Sequence, residues 1–172
     1  MKFKKTMLSI LLTLSILSSY GNTDTTKEYD YVIQIDIASS KEKVWNVLTN
    51  FKDYSKWNTV LKMQNNDNME LGKEFDVSIF ENDGSLADSF QAIAVHKTKY
   101  ESFSASQTIF TKSFFKATHH FIIEEVSNNE VIFIQKWELE GVIAYLFESM
   151  IFDLLDLFVR MNLELKIEVE NS

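Results

Sequence analysis

From Tyr29 to Ile37 the chain alternates. Tyr29, Tyr31, Ile33, Ile35 and Ile37 fall on one parity, Asp30, Gln34 and Asp36 on the other, and only Val32 breaks the pattern. A period of two in β-forming residues predicts a half-buried strand. The period then changes. Ser39 with Glu42 three places on has the spacing of a capping box, in which each side chain satisfies a free amide at a helix start. Val44, Val47, Leu48 and Phe51 follow at i, i+3, i+4 and i+7, one apolar helical stripe, with Trp45 beside it as a further core residue. A second short turn or helix through 52–56 is expected to end near Trp57 and Asn58.

From Thr59 to Glu140 the pattern is that of antiparallel strands. Asn65-Asn66-Asp67-Asn68 and Glu81-Asn82-Asp83-Gly84 are turn clusters, and Asp-Gly is a strong hairpin signal. Phe75, Val77 and Ile79 alternate with polar residues. Strands are expected over Leu86–His96, Ser102–Phe110, Phe115–Ile123 and Val131–Leu139. In the last two, His119 shares a face with Phe115, Ala117, Phe121 and Ile123, and Gln135 with Val131, Phe133, Trp137 and Leu139. These are the polar members of otherwise apolar inward rows. Gly141 ends the sheet. Ile143, Phe147, Met150, Ile151, Leu154, Leu155, Phe158, Asn162 and Leu165 then keep helical spacing, which predicts one helix from Val142 to about Val169, roughly 40 Å long. Leu163, Leu165, Ile167 and Val169 also alternate with charged residues as a strand would, but no turn residue separates them from the helix.

The 172 residues suit a single domain, and 45% hydrophobic with 24% charged content is ordinary for a folded one. The beginning of the chain reads differently. Lys2, Lys4 and Lys5 precede an uncharged apolar run from Met7 to Leu17, about the length of a signal-peptide core and too short for the ~30 Å of a bilayer. Ser19 and Gly21 occupy the −3 and −1 positions of a cut before Asn22. Residues 1–21 are therefore expected to be an export signal, 22–28 a polar leader and 29–172 the domain, placed in the periplasm or secreted. Without those three lysines, 14 basic residues face 25 acidic ones, a charge of −11 in place of −8. Such a surface repels nucleic acid and anionic lipid, and stable membrane insertion after signal cleavage is not expected. There is no cysteine, which excludes thiol nucleophiles, cysteine zinc sites and lipidation at position 22. No proline and four glycines imply long uninterrupted elements.

Several stretches, taken in order, resemble one superfamily. "IQIDIASSKEKVWNVLTNFKDYSKWN" resembles the opening of SRPBCC proteins of the polyketide cyclase/dehydrase type: a strand, a small-polar helix start, Val-Trp on the first helix and Trp-Asn after the second. "THHF", with His119 and Phe121, resembles that family's His-x-Phe strand. "WELEGVIAYL" resembles its passage from strand to helix through a glycine, and "MNLELKIEVE" the end of its last helix, which favours helix for the ambiguous tail. The likeness spans residues 29–170. Thr59 departs from it, standing where the family often has proline. The resemblance implies an α+β, helix-grip (START-like) fold: a curved antiparallel sheet wrapped around a long C-terminal helix, with two short helices after the first strand.

It also implies an internal, mostly apolar cavity suited to a small hydrophobic ligand, a lipid or an aromatic metabolite. Its wall is expected to include Phe75, Phe115, His119, Phe121, Phe133, Gln135 and Trp137 from the sheet. Phe147, Ile151 and Phe158 would come from the helix, with Trp57 and Asn58 at the rim. Two further functions remain open beside ligand binding. One is a cyclase/dehydrase-like enzyme in which His119 moves protons. The other is a protein-interaction module whose cavity is filled by its own side chains. His119 and His120 are adjacent on a strand and must point to opposite faces, so they cannot share a metal ion. No metal and no cofactor is expected. Glu138 and Glu140 share a solvated face. No nucleophile elbow and no glycine-rich phosphate loop is present.

Overall fold

The computed structural model describes residues 29–65 and 69–172. The expected export signal and polar leader, and residues 66–68 of the first turn cluster, lie outside the described residues. The chain runs β1 (Tyr29–Ile37), α1 (Lys41–Leu48), a 3-10 turn (Phe51–Asp53), α2 (Tyr54–Trp57), β2 (Leu61–Gln64), β3 (Glu74–Phe80), β4 (Leu86–Thr98), β5 (Ser102–Ile109), β6 (Phe115–Ser127) and β7 (Glu130–Glu140). A second 3-10 turn (Ala144–Leu146) then leads into α3 (Glu148–Asn171). The seven strands form one antiparallel sheet in the order β1-β7-β6-β5-β4-β3-β2. Strands β2 to β7 are a meander, and β1 adds to its far edge by pairing with β7 from Tyr29↔Leu139 to Ile37↔Val131. The helices α1 and α2 therefore carry the chain across the concave face from one edge of the sheet to the other.

The sheet bends because its ladders are interrupted. Register shifts fall between Ile79 and Phe80, between Ala94 and His96, and between Glu125 and Ser127, and an extra residue in one strand sharpens local twist. One end of the concave face is closed by α1 and the turn after it. Trp45 and Phe51 both meet the Phe103 ring edge-on, at 6.2 and 6.0 Å. The rest is covered by α3, whose 24 residues span about 36 Å. Ile151, Phe158, Met161, Leu165 and Val169 are buried under it, while Leu163 and Ile167 face outward. The alternation in the tail is thus a helix pattern in which neighbouring apolar residues serve different faces.

Two expected boundaries move. The first helix is capped by Ser40, whose side chain accepts from the Lys43 amide at 3.3 Å. Ser39 stands one residue too early, because the first helical turn closes on Ser40, whose carbonyl accepts the Val44 amide at 3.1 Å. Glu42 consequently forms no capping box. The long helix starts at Glu148 and not at Val142. The Val142 and Ile143 amides donate to the Ser113 and Phe114 carbonyls of the β5–β6 loop, at 3.1 and 3.3 Å, so these residues are held outside any helix.

The α3 end is tied to the β1–α1 corner. Glu170 accepts from the Ala38 amide at 2.8 Å, and Lys166 donates to the Asp36 carbonyl at 2.6 Å. At Thr59, where proline would have no amide to offer, the backbone N–H donates to Glu164 of α3 at 2.8 Å and the hydroxyl at 2.5 Å. Among the described residues no helix is long and apolar enough to cross a membrane.

Candidate functional site

Between the sheet and α3 the packing is incomplete. The inward rows of β4, β5 and β6 carry alanine at their centres, Ala92, Ala105 and Ala117. Three small side chains on adjacent strands leave space that a straight helix cannot enter. Nearer β1 the rows carry Val131, Phe133 and Leu139 instead, fully buried, and there the core is solid. The result is a cavity with about 80 Å³ of free space, several times what a single water needs.

Phe75, Phe115, Phe121 and Trp137 line it from the sheet, and Phe147, Ile151 and Phe158 from the helix side. Three polar side chains interrupt this wall: His119, Asp88 and Gln107. His119 was expected there; the other two were not singled out from the sequence. Their signal was nevertheless present, since Asp88 shares parity with Phe90 and Ala92, and Gln107 with Ala105 and Ile109.

His119 is held in an aromatic slot. Trp137 stacks on it with ring centroids 4.2 Å apart, Phe121 lies at 4.0 Å, and Phe158 meets it edge-on at 5.1 Å. Its Nε2 lies 2.9 Å from Gln135 Oε1. The Gln135 amide nitrogen donates to Asn162 Oδ1 at 2.6 Å and faces the Phe158 carbonyl at 3.5 Å. A backbone carbonyl can only accept, so the NH2 end of Gln135 must face α3 and its oxygen must face His119. It follows that His119 carries its proton on Nε2 and leaves Nδ1 as a bare acceptor. Burial lowers its affinity for a second proton, from the ordinary 6.5 to about 3, outweighing the Gln135 hydrogen bond, which acts the other way; the nearby His120 lowers it further. The imidazole in the cavity wall is neutral.

Gln135 is therefore the link between His119 and Asn162, behind the wall and not in it. Phe133 likewise stands behind Phe121, with rings 6.4 Å apart. Trp57 and Asn58 lie away from the cavity lining. Trp57 packs against Tyr54 at 4.9 Å, and Asn58 Oδ1 accepts from the Val60 and Leu61 amides at 2.8 and 2.9 Å. The α1–α2 segment turns these two toward the helix corner, where they shape the entry into β2. Asn162, a buried polar residue on the apolar stripe of α3, is the partner that the sequence reading left without a role.

Opposite His119, on the convex face, His120 Nδ1 meets the Ser104 hydroxyl at 2.9 Å and Nε2 lies 3.2 Å from Glu138. Serine, histidine and glutamate thus align across three strands, but Ser104 is only 1% exposed, so its hydroxyl has no approach for a substrate. Lys136, 2.7 Å from Glu138, holds that carboxyl below its usual range. This is a sheet-face network of partly solvated charges, which contributes little to stability. Among the described residues no three histidine, aspartate or glutamate side chains are grouped as a metal ion would require.

A curved seven-stranded antiparallel sheet gripping a long C-terminal helix, with short helices after the first strand and an apolar hollow between, is the START-like helix-grip fold. No protein-family model and no curated protein matches the sequence. Solved structures do match by shape. Norcoclaurine synthase of Thalictrum flavum, as a point mutant in complex with a transition state analogue, superposes with a TM-score of 0.62 at 8% identity, over 87% of this chain and 98% of that one. An aromatase/cyclase from Streptomyces gives 0.60 at 9% identity, covering 84% and 94%. A START superfamily protein from Mycobacterium smegmatis gives 0.56 at 15%, covering 83% and 97%. At such identities the likeness is one of fold.

Proposed function

We propose that this chain is an exported protein that binds a small hydrophobic ligand, a lipid or an aromatic metabolite, in the cavity beneath α3. The observation that carries the reading is the hollow itself, walled by aromatic and aliphatic side chains around a few polar groups. Burying apolar ligand surface there contributes about 25 cal/mol per Å², and the polar groups fix orientation. The state of His119 favours binding over proton transfer. A ring that takes up a proton only near pH 3 is a hydrogen-bonding group at neutral pH and a poor shuttle.

Filling the cavity tests the reading. Ala117→Leu, on the cavity wall, is expected to keep or raise the melting temperature while weakening binding at least about tenfold, since added methyl groups occupy the ligand's space. Native mass spectrometry of the protein from its own host is expected to show a bound small molecule that the variant lacks. A bare mass for the wild type, with no thermal shift across lipophilic compounds, would overturn the proposal. Export has its own readout: protein recovered outside the cytoplasm is expected to begin at Asn22, and an intact Met1 terminus there would refute cleavage.

A further inference from the structure

The polar groups of the cavity are not a balanced set. His119 spends its one N–H on Gln135, and among the described residues its Nδ1 takes no hydrogen bond. Asp88 places a carboxylate in the same wall. One of its oxygens accepts the Ser89 amide at 2.8 Å, and among the residues that line the cavity there is no lysine or arginine. Gln107 can turn its amide either way and does not discriminate. A ligand entering this space therefore meets acceptors.

Resting on the binding reading above, we propose that the cavity selects ligands by hydrogen-bond donation. Its occupant is a neutral apolar molecule bearing a hydroxyl, a phenol or a hydrophobic alcohol, whose O–H donates to His119 Nδ1. Free carboxylic acids are rejected. The physical reason lies in what each head group would leave unpaired. A hydroxyl satisfies Nδ1 and can accept from Gln107. An ether leaves the imidazole nitrogen without a donor. A carboxylate loses its water, finds no cation and faces the charge of Asp88 in an apolar wall, where burying an unpaired charge is most costly. Partial burial pushes the Asp88 carboxyl upward against the Ser89 hydrogen bond, in keeping with a wall that does not favour a second negative charge.

The test uses three probes with one apolar body: 4-propylphenol, 4-propylanisole and 4-propylbenzoate, titrated at about pH 8, where the phenol is neutral and the acid ionised. Trp137 in the wall reports binding by its fluorescence, checked by calorimetry. The phenol is expected to bind about tenfold tighter than the anisole and the benzoate weakest of the three. Asp88→Asn is expected to improve benzoate binding about fivefold and so narrow the gap between phenol and benzoate, because an amide removes the repulsion and offers a donor. His119→Phe is expected to bring the phenol down to the anisole's affinity. Should that variant fail to fold, the wild-type ratios and Asp88→Asn still decide. Equal binding of all three probes overturns donor selection and leaves the cavity reading standing. Binding of none overturns both.

Discussion

Acidification is expected to destabilise this protein through His119. Above pH 6.5 the ring is neutral in the folded and the unfolded chain alike, so it contributes no pH dependence. Below 6.5 the unfolded chain takes up a proton that the folded ring refuses until about pH 3. The contribution to stability is therefore complete above 6.5 and is lost as the pH falls toward 3, at up to ~1.4 kcal/mol per pH unit and on the order of 5 kcal/mol at most. Against a total of roughly 5–15 kcal/mol for a domain, that is enough to shift the acid midpoint visibly.

Carboxylates held low by lysines, such as Glu138 beside Lys136 and Glu170 beside Lys166, also lose their contribution on acidification. They do so at lower pH and from more exposed positions. The comparison that isolates the ring is His119→Gln, which keeps a hydrogen-bonding group opposite Gln135 and removes the titration. Denaturant midpoints at steps between about pH 7 and pH 4 are expected to fall more steeply for the wild type than for the variant. Parallel curves would mean that the imidazole is solvated and not part of a dry wall.

The second large effect is at Gly141. The residue has φ +111°, and a Cβ there would press on the Phe114 carbonyl group, 2.7 Å from its carbon and 2.9 Å from Phe115 Cα. Backbone cannot swing aside as a flexible side chain would. Gly141→Ala combines this collision with an unfavourable φ, each of the order of 1–3 kcal/mol, for an expected loss of about 3 kcal/mol or more. Gly84 is the control. It also has positive φ, +79°, yet a Cβ there meets nothing within 4 Å, so Gly84→Ala should cost only about 1 kcal/mol. Unfolding curves of the two variants separate the effects. Equal losses would show that close approach to Phe114 is not what demands glycine. Because Gly141 aims the chain from β7 into α3, its loss is also expected to loosen the helix over the cavity.

Much of the architecture was legible from local pattern. β1 runs from Tyr29 to Ile37 as its alternation required, and Gly84 turns the hairpin between β3 and β4. His119 and Gln135 stand on neighbouring strands and meet, because side-chain parity on a strand is absolute. Boundaries were less legible. Ser39 and Ser40 are equally good caps in isolation, and only the structure shows that the first turn closes from the Val44 amide onto the Ser40 carbonyl. The start of α3 was set by two carbonyls about thirty residues upstream in the chain, Ser113 and Phe114.

The candidate site divides along the same line. By itself the sequence determined which residues could face inward, since periods of 2 and 3.6 are properties of the backbone: the aromatic rows, His119 among them, and Phe147, Ile151 and Phe158 on the helix side. Only the tertiary structure decided which of those inward residues border empty space. Phe133 and Gln135 lie where the core is solid, Trp57 and Asn58 turn toward the α1–α2 corner, and Asp88 and Gln107 enter the wall beside Ala92, Ala105 and Ala117, with Gln107 paired directly to Ala117. A cavity is a shortage of volume summed over several strands, and no local pattern records that sum. The protonation state of His119 is of the same kind. It depends on Asn162 and the Phe158 carbonyl holding Gln135 in one orientation, contacts that exist only once helix and sheet have met.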